Sequence, residues 1–334
     1  MTENRQIVIA SLPAGALTVD DYAMQERPVP TPGDGDVLVR TLALTIGAGQ
    51  RAGLQGSASY AGAPTVGAVM GGTGVGRVEA SKVEGIGPGD LVVGWTGWQD
   101  YAVLAGREAR PVEADIDPAL HLSLFGTNGL TAYFGLLDVG APRPGETVVV
   151  SAAAGSVGHL AGQMARLQGC RVVGVAGSDA KCELLTSTLG FDAAVNHRSP
   201  TFRDDFKAAT PQGIGVYFDN TGGDILAAAL RRMNPHGRIV CCGVVSQYDT
   251  ADPAPGPRGI PGLLVNNRVR MEGFLVFDFA SRYDEARTQM RAWLDAGSIQ
   301  SRHDEVGGLE HAPEAFVDLL AGGNVGTRIV RVAD

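Results

Sequence analysis

Ala153, Gly155 and Gly158 stand in an A-x-G-x-x-G spacing within VVVSAAAGSVGHLAG, residues 148–162. An apolar run enters this stretch and an apolar-periodic segment leaves it, so it reads as strand, tight turn and helix start. Side chains this small let a charged, flat group press against the backbone. The N–H groups and macrodipole of a helix N-terminus stabilise negative charge there. The chemistry expected is retention of a pyrophosphate, and so of a dinucleotide. Gly158 and Gly162 lie one turn apart, which predicts a helix held close to the sheet.

The end of the following strand bears on which dinucleotide. A preference for NAD goes with Asp or Glu at that position, where a carboxylate binds the ribose 2′-hydroxyl. Here the strand ends VVGVAGSDAK, with Ser178 and then Lys181 one helical turn on. A hydroxyl and a cation suit a 2′-phosphate that a carboxylate would repel, so NADPH is the expected cofactor. Asp179, a first-turn residue, can point away and complement the helix dipole. The other reading of Lys181 is a solvated helix lysine, although only Lys82, Lys181 and Lys207 stand among the 27 basic residues.

Other chemistries find little support. Cys170, Cys182, Cys241 and Cys242 lack the spacing of a disulfide framework or a zinc ribbon. Residues 1–122 contain no cysteine, and their first histidine is His121. No metal is expected. No Ser-His-Asp or paired-carboxylate arrangement emerges, and His236, in NPHG, reads as a turn residue. A net charge of −9 offers no basic face for nucleic acid or an anionic membrane. The opening MTENRQIVIASLPAG lacks the regions of a signal peptide, and no apolar run approaches the roughly 18 residues of a membrane span. A cytoplasmic enzyme with reduced thiols and a small-molecule substrate is expected.

At 334 residues the chain predicts two domains. Residues 1–122 carry short β-branched runs (DVLVRTLAL, GVGRVEA, DLVVGW) between turn signals such as TPGDGD, which predicts a small β-barrel. GREARPVEADIDPALHLSLFGTNGLTAYFGLLDVGAPRPGE turns helical, with Leu130, Phe134 and Leu137 at helical spacing. From residue 147, TVVVS, RVVGV, DAAVN, GVYFDN and RIVCC alternate with helices, an α/β pattern that predicts a doubly wound parallel sheet over 123–299. Ser178 is the expected N-cap of DAKCELLTSTLG, and Gly190 is expected to end it. VRMEGFLV reads as a further strand, followed by a helix from Ser281. Residues 249–262, DTADPAPGPRGIPG, are too rich in Pro and Gly for a regular element. Residues 300–334 hold a helix near 312–321 and a strand, TRIVRVA, that returns to the first domain.

AAAGSVG, VAGSDAK, FDAAVNH, YFDNTGG, CCGVVSQY, RMEGF and GGNVG occur in the order of medium-chain dehydrogenase/reductases. The chain resembles their zinc-independent branch, which holds prostaglandin/leukotriene B4 reductases and alkenal double-bond reductases. The resemblance implies a GroES-like β-barrel for substrate, a Rossmann domain for NADPH, a cleft between them, and a homodimer. It would place Gly155, Ser156, Val157 and Gly158 at the pyrophosphate, with Ser178, Lys181 and His197 near the 2′-phosphate and Asn220 by the ribose. Cys242, Gly243, Ser246 and Tyr248 would run along the cofactor. Phe274, Leu275 and Val276 would lie by the nicotinamide, and Asn324 would reach it from the C-terminal segment. His197 replaces a tyrosine of the branch, Gly49 replaces the tyrosine of D-P-Y-M-R, and Asn266 falls near a tyrosine of some members. VGAVMGGTGVGRV, where a G-H-E element would lie, offers no ligand.

The implied activity is hydride delivery to the conjugated C=C of a bulky, apolar enone or enal. The resulting enolate can be stabilised by hydrogen bonds without a Lewis acid. Tyr248 is read either as the acid or as an aromatic shield of the cofactor. A quinone reductase, a reductive cyclase of a polyene and a non-catalytic NADPH-binding protein stay open as alternatives.

Overall fold

The computed structural model describes residues 3–55, 65–253 and 255–333. They fall into two compact units: Met1–Gly126 with Asp249–Ala251 and His303–Asp334, and Thr127–Tyr248 with Asp252–Arg302.

In the first unit, β1 (Glu3–Ile9) and β2 (Tyr22–Pro28) pair antiparallel. β3 (Asp36–Ile46) is followed by α1 (Ala48–Leu54), β4 (Gly74–Ser81), β5 (Leu91–Gly94), β6 (Tyr101–Ala105), β7 (Arg110–Val112) and α2 (Pro118–Leu122). β3 is the spine of this unit. β4 runs antiparallel beside it, and β6 takes the other edge of its first half, Asp36 to Arg40. Alternation along DVLVR sends Val37 and Val39 inward, where they join Val78, Val92 and Leu104 in one core. Arg110–Val112, inside the segment read as helical, instead forms β7 and pairs with β5. Helix starts only at Pro118, where Asp117 accepts from the Ala119 N–H at 2.9 Å.

In the second unit, α3 (Thr127–Phe134) runs into a π-helical turn, Gly135–Gly140, that ends at Ala141 with φ +42°. Then come β8 (Thr147–Val150), α4 (Gly158–Leu167), β9 (Arg171–Ala176), α5 (Asp179–Ser187), β10 (Ala193–Asn196), α6 (Phe202–Ala209) and β11 (Ile214–Asp219). α7 (Gly223–Leu230), β12 (Met233–Cys241), α8 (Ile260–Asn267), β13 (Arg270–Gly273) and α9 (Tyr283–Asp295) complete it. The strands form one parallel sheet in the order β10-β9-β8-β11-β12-β13. This is the doubly wound order, with its switch point between β8 and β11. β8 and β11 are buried at every residue, which is why their sequences are apolar without alternation. His236 sits at φ +61° where β12 bulges against β11.

The chain closes with β14 (His303–Gly307), α10 (Ala312–Leu320) and β15 (Thr327–Arg331). β15 pairs with the second half of β3, and Phe316 and Leu319 of α10 share a core with Trp98, Leu44 and Ile46.

Four local expectations are corrected. VRMEGFLV pairs only over Arg270–Gly273, because Phe274 turns its ring onto Gly135, where a Cβ would stand 2.9 Å from Phe274 Cε1. Ser281 lies within a 3-10 turn, Val276–Arg282, so α9 begins two residues later. α8 starts at Ile260, inside the Pro/Gly-rich stretch, because Pro261 suits the first turn of a helix. Gly162 accommodates the ring of Phe191 rather than the sheet, since a Cβ there would stand 2.5 Å from Phe191 Cε1.

Candidate active site

β8 delivers the chain into a tight turn before α4. Ala152 takes φ +46°, a left-handed value costly for a residue with a Cβ. The turn is fixed by Gly155 N–H to the Ala152 carbonyl at 2.9 Å and Ala153 N–H to Val175 at 2.9 Å. Gly158 closes it. A Cβ at Gly158 would fall on the Ala152 carbonyl and 2.8 Å from Ala153 Cα. Behind the turn, the buried His159 bonds Gly155 O through Nδ1 at 2.8 Å and accepts Arg302 N–H at Nε2 at 3.1 Å. The acceptor role of Nε2 puts the ring proton on Nδ1. His159 thus braces the glycine turn. Sequence reasoning missed this role although the residue sits in the quoted stretch.

Beyond β9, Ser178 caps α5 by accepting Lys181 N–H at 3.3 Å, as its sequence context predicts. The carboxylate of Asp179 is taken up by Asn196 Nδ2 at 2.8 Å. His197 and the next residue, Arg198, fold over Gly177. A Cβ at Gly177 would meet His197 Nε2 at 3.4 Å and Arg198 Nε at 3.6 Å. Desolvation, and then the charge of Arg198, hold the His197 imidazole below its usual range. Beside them lies a cavity of about 490 Å³, lined by His197, Ser199, Thr201, Arg203, Asp224 and Ile225 among others. Ser178, Lys181 and His197 therefore gather at one strand end. Arg198, which no sequence pattern singled out, stands with them.

At the end of β11, Asp219 is 3 % exposed, and one of its oxygens accepts from four neighbours. These are Tyr217 OH at 2.9 Å, Ser151 Oγ at 3.2 Å, Thr221 N–H at 3.0 Å and Gly222 N–H at 2.8 Å. Asn220 ties this turn to β8, donating its side-chain amide to Ser151 O at 2.7 Å. Cys242 and Gly243 donate their N–H groups to Asp219 O, and Ser246 Oγ donates to Thr221 O at 2.5 Å. The DNTGG turn and the 242–248 segment are therefore one hydrogen-bonded assembly at the switch point. Burial first, and then the charge of Asp219, push the Cys241 thiol up to about 11 and the Cys242 thiol up to about 12. Neither is a nucleophile near neutral pH. The Tyr248 hydroxyl accepts Val244 N–H at 3.3 Å, a bond that does not use its own proton.

Leu275 is 40 % exposed while Val276 is buried, so 274–276 presents one apolar side chain outward. Asn266 is exposed on α8. In the first unit, Asn324 is buried with its amide donating to Gly326 O at 2.8 Å. Gly49 lies exposed on α1, two residues before the fully buried Arg51. Arg51 Nε bonds Asp249 at 2.9 Å, which anchors the residue following Tyr248 to this unit. Trp95 is 63 % exposed and packs its ring against Gly71, where a Cβ would stand 2.5 Å from Cζ2.

One group among the described residues gathers metal-capable atoms: Asp117, His303 and Glu305, within 4.8 Å of one another. Arg331 already spans both carboxylates, at 3.0 Å from Asp117 and 2.9 Å from Glu305. A cation would have to displace that guanidinium. Ser123 Oγ lies 2.7 Å from His303 Nε2, giving the composition of a hydrolytic triad that sequence spacing did not show. The serine is fully buried and donates to Ala119 O, so no substrate reaches it.

Comparison with known proteins matches residues 5–112 to the family described as N-terminal domain of oxidoreductase, and residues 156–293 to that described as zinc-binding dehydrogenase. The chain is 39% identical to an NADPH-dependent curcumin reductase of Escherichia coli (strain K12), over 99% of this chain and 97% of that protein. It is 36% identical to a 2-alkenal reductase (NADP(+)-dependent) of Nicotiana tabacum, over 99% and 98%. The crystal structure of CurA from Vibrio vulnificus in complex with NADPH superposes with a TM-score of 0.94 at 38% identity, covering 99% of each chain. The chain therefore belongs to the medium-chain dehydrogenase/reductase superfamily, in its zinc-independent branch of double-bond reductases.

Proposed function

We propose that this protein is an NADPH-dependent reductase that delivers hydride to the conjugated C=C of a bulky, apolar α,β-unsaturated carbonyl compound. The observation that carries the reading is its chain-long likeness to reductases named for curcumin and for 2-alkenals. NADPH, when bound, supplies the hydride. Gly155, Ser156, Val157 and Gly158 hold the pyrophosphate, where any larger residue at 158 would collide with backbone. Ser178, Lys181 and His197 take the 2′-phosphate, and Asn220 the ribose. Cys242, Gly243, Ser246 and Tyr248 flank the cofactor, together with Phe274, Leu275, Val276 and Asn324. The second unit is the cofactor domain, and the first holds the substrate.

Charge that develops on the substrate oxygen as its β-carbon is reduced needs a donor. Tyr248 can give its phenolic proton while keeping its bond from Val244. No thiolate competes for the electrophilic alkene, because the Cys241 and Cys242 thiols stay protonated. Trp95, laid open on Gly71, and the space left by Gly49 favour long, flat substrates. Each buried methylene contributes about 0.8 kcal/mol, roughly fourfold in kcat/KM.

The test is NADPH consumption, with EDTA present, on a long conjugated enone, a small enal and a quinone. The long enone is expected to turn over best and chelation to change nothing. Loss of activity with EDTA, or turnover of the quinone alone, would contradict the proposal. The same reading extends to the cytoplasm and to a homodimer. The former is consistent with the absence, among the described residues, of any helix able to cross a membrane. The dimer is supported by the exposed edge strand β13 and the 74 % exposed Val265 on neighbouring α8. Light scattering at one chain mass, 34.6 kDa, would remove the dimer.

A further inference from the structure

We propose that Arg198 is the principal selector of NADPH over NADH, its guanidinium lying beside Gly177 at the end of β9. The proposal rests on NADPH being the cofactor. The end of the second strand is where a dinucleotide's adenosine ribose is read. There the structure places a guanidinium rather than a carboxylate, 3.6 Å from the Cβ position of Gly177 through Nε and 3.7 Å through Cζ. Its backbone is fixed by Arg198 N–H to Asn196 Oδ1 at 3.0 Å, and Asn196 in turn holds Asp179, the nearest carboxylate in sequence. That hydrogen bond occupies one oxygen of the Asp179 carboxylate.

Lys181 is the weaker selector on physical grounds. Its ammonium rides on a flexible four-carbon stem, whereas a guanidinium offers a planar fork that matches phosphate. His197, beside Arg198 over Gly177, has its imidazole held towards the neutral form by desolvation and by Arg198 itself. It contributes a hydrogen bond rather than a charge. The arrangement was invisible in the sequence because an exposed arginine after a strand has no spacing signature.

Gly177 supplies a second, independent handle. Its backbone is not in the left-handed region, and the nearest atoms to a Cβ lie at ordinary contact distance. An aspartate there would fit and set a carboxylate beside Arg198. It would pair with the guanidinium, repel a 2′-phosphate and offer an acceptor to a 2′-hydroxyl.

The experiment measures dissociation constants by calorimetry for NADPH, NADH, 2′,5′-ADP and 5′-AMP, with no turnover involved. Arg198→Ala is expected to weaken NADPH and 2′,5′-ADP by about tenfold to a hundredfold and to leave NADH and 5′-AMP unchanged. Unchanged NADH affinity also certifies that the variant is folded. Gly177→Asp is expected to invert the preference, with NADH binding more tightly than NADPH. Full discrimination kept by Arg198→Ala and lost by Lys181→Ala would overturn the assignment while sparing the NADPH reading. Equal affinities in the unmutated protein would overturn both.

Discussion

Asp219→Ala is expected to destabilise the cofactor-binding unit by about 3–4 kcal/mol, a fall in melting temperature on the order of 10 °C. One buried carboxylate oxygen accepts from five donors at the switch point, two of them backbone N–H groups of the 221–222 turn. An alanine removes the acceptor from all five, and each unpaired buried donor costs about 1–3 kcal/mol before relaxation. Asp219→Asn should recover part of the loss, because its carbonyl oxygen can take the place of the one oxygen that accepts these bonds and only the charge is lost. Tyr217→Phe deletes one partner and leaves the rest, so about 1 kcal/mol is expected. Thermal unfolding followed by circular dichroism ranks the three. Equal melting temperatures for Asp219→Ala and the unmutated protein would show that the hub is not a stabilising element.

Gly158→Ala is expected to lower kcat/KM for NADPH by about a hundredfold, the scale associated with displacing a bound group by about 1 Å. The added methyl meets the Ala152 carbonyl and Ala153 Cα, backbone atoms that move only if the turn or the start of α4 moves. Gly162→Ala, one turn further on, is the instructive contrast. Its methyl meets the ring of Phe191, so it should cost about 1–3 kcal/mol of stability and leave the affinity for NADPH nearly intact. Phe191→Leu should restore part of that stability. Steady-state kinetics and melting curves on the pair separate the roles. An affinity unchanged in Gly158→Ala would mean that the turn does not set the cofactor's position.

What could be read in advance follows from how local each signal is. The continuous apolar runs of β8 and β11 and the small residues of the phosphate turn carry their reason within a few residues. So does the Ser178 cap, and each is visible in one dimension. β7 was hidden because Arg110–Val112 is three residues long and owes its strand state to β5. The stretch before α8 misled because Pro261, a breaker in a helix interior, is favoured in a first turn. Among candidate site residues, the glycines and Lys181 announced themselves by spacing and scarcity. His159, Arg198 and Asp219 did not. Their roles depend on Arg302, Gly177 and Ser151, partners distant in sequence that the sheet order brings together.

The central claim, hydride addition to carbon rather than to a carbonyl, is tested most directly by following the hydride itself. The protein is given a conjugated enone and NADPH deuterated at the transferred position, in ordinary water, and the product is located by NMR. Deuterium on the β-carbon, or on its conjugated extension, with an intact carbonyl is the result this account predicts. Deuterium on a carbinol carbon, with the double bond retained, would contradict it.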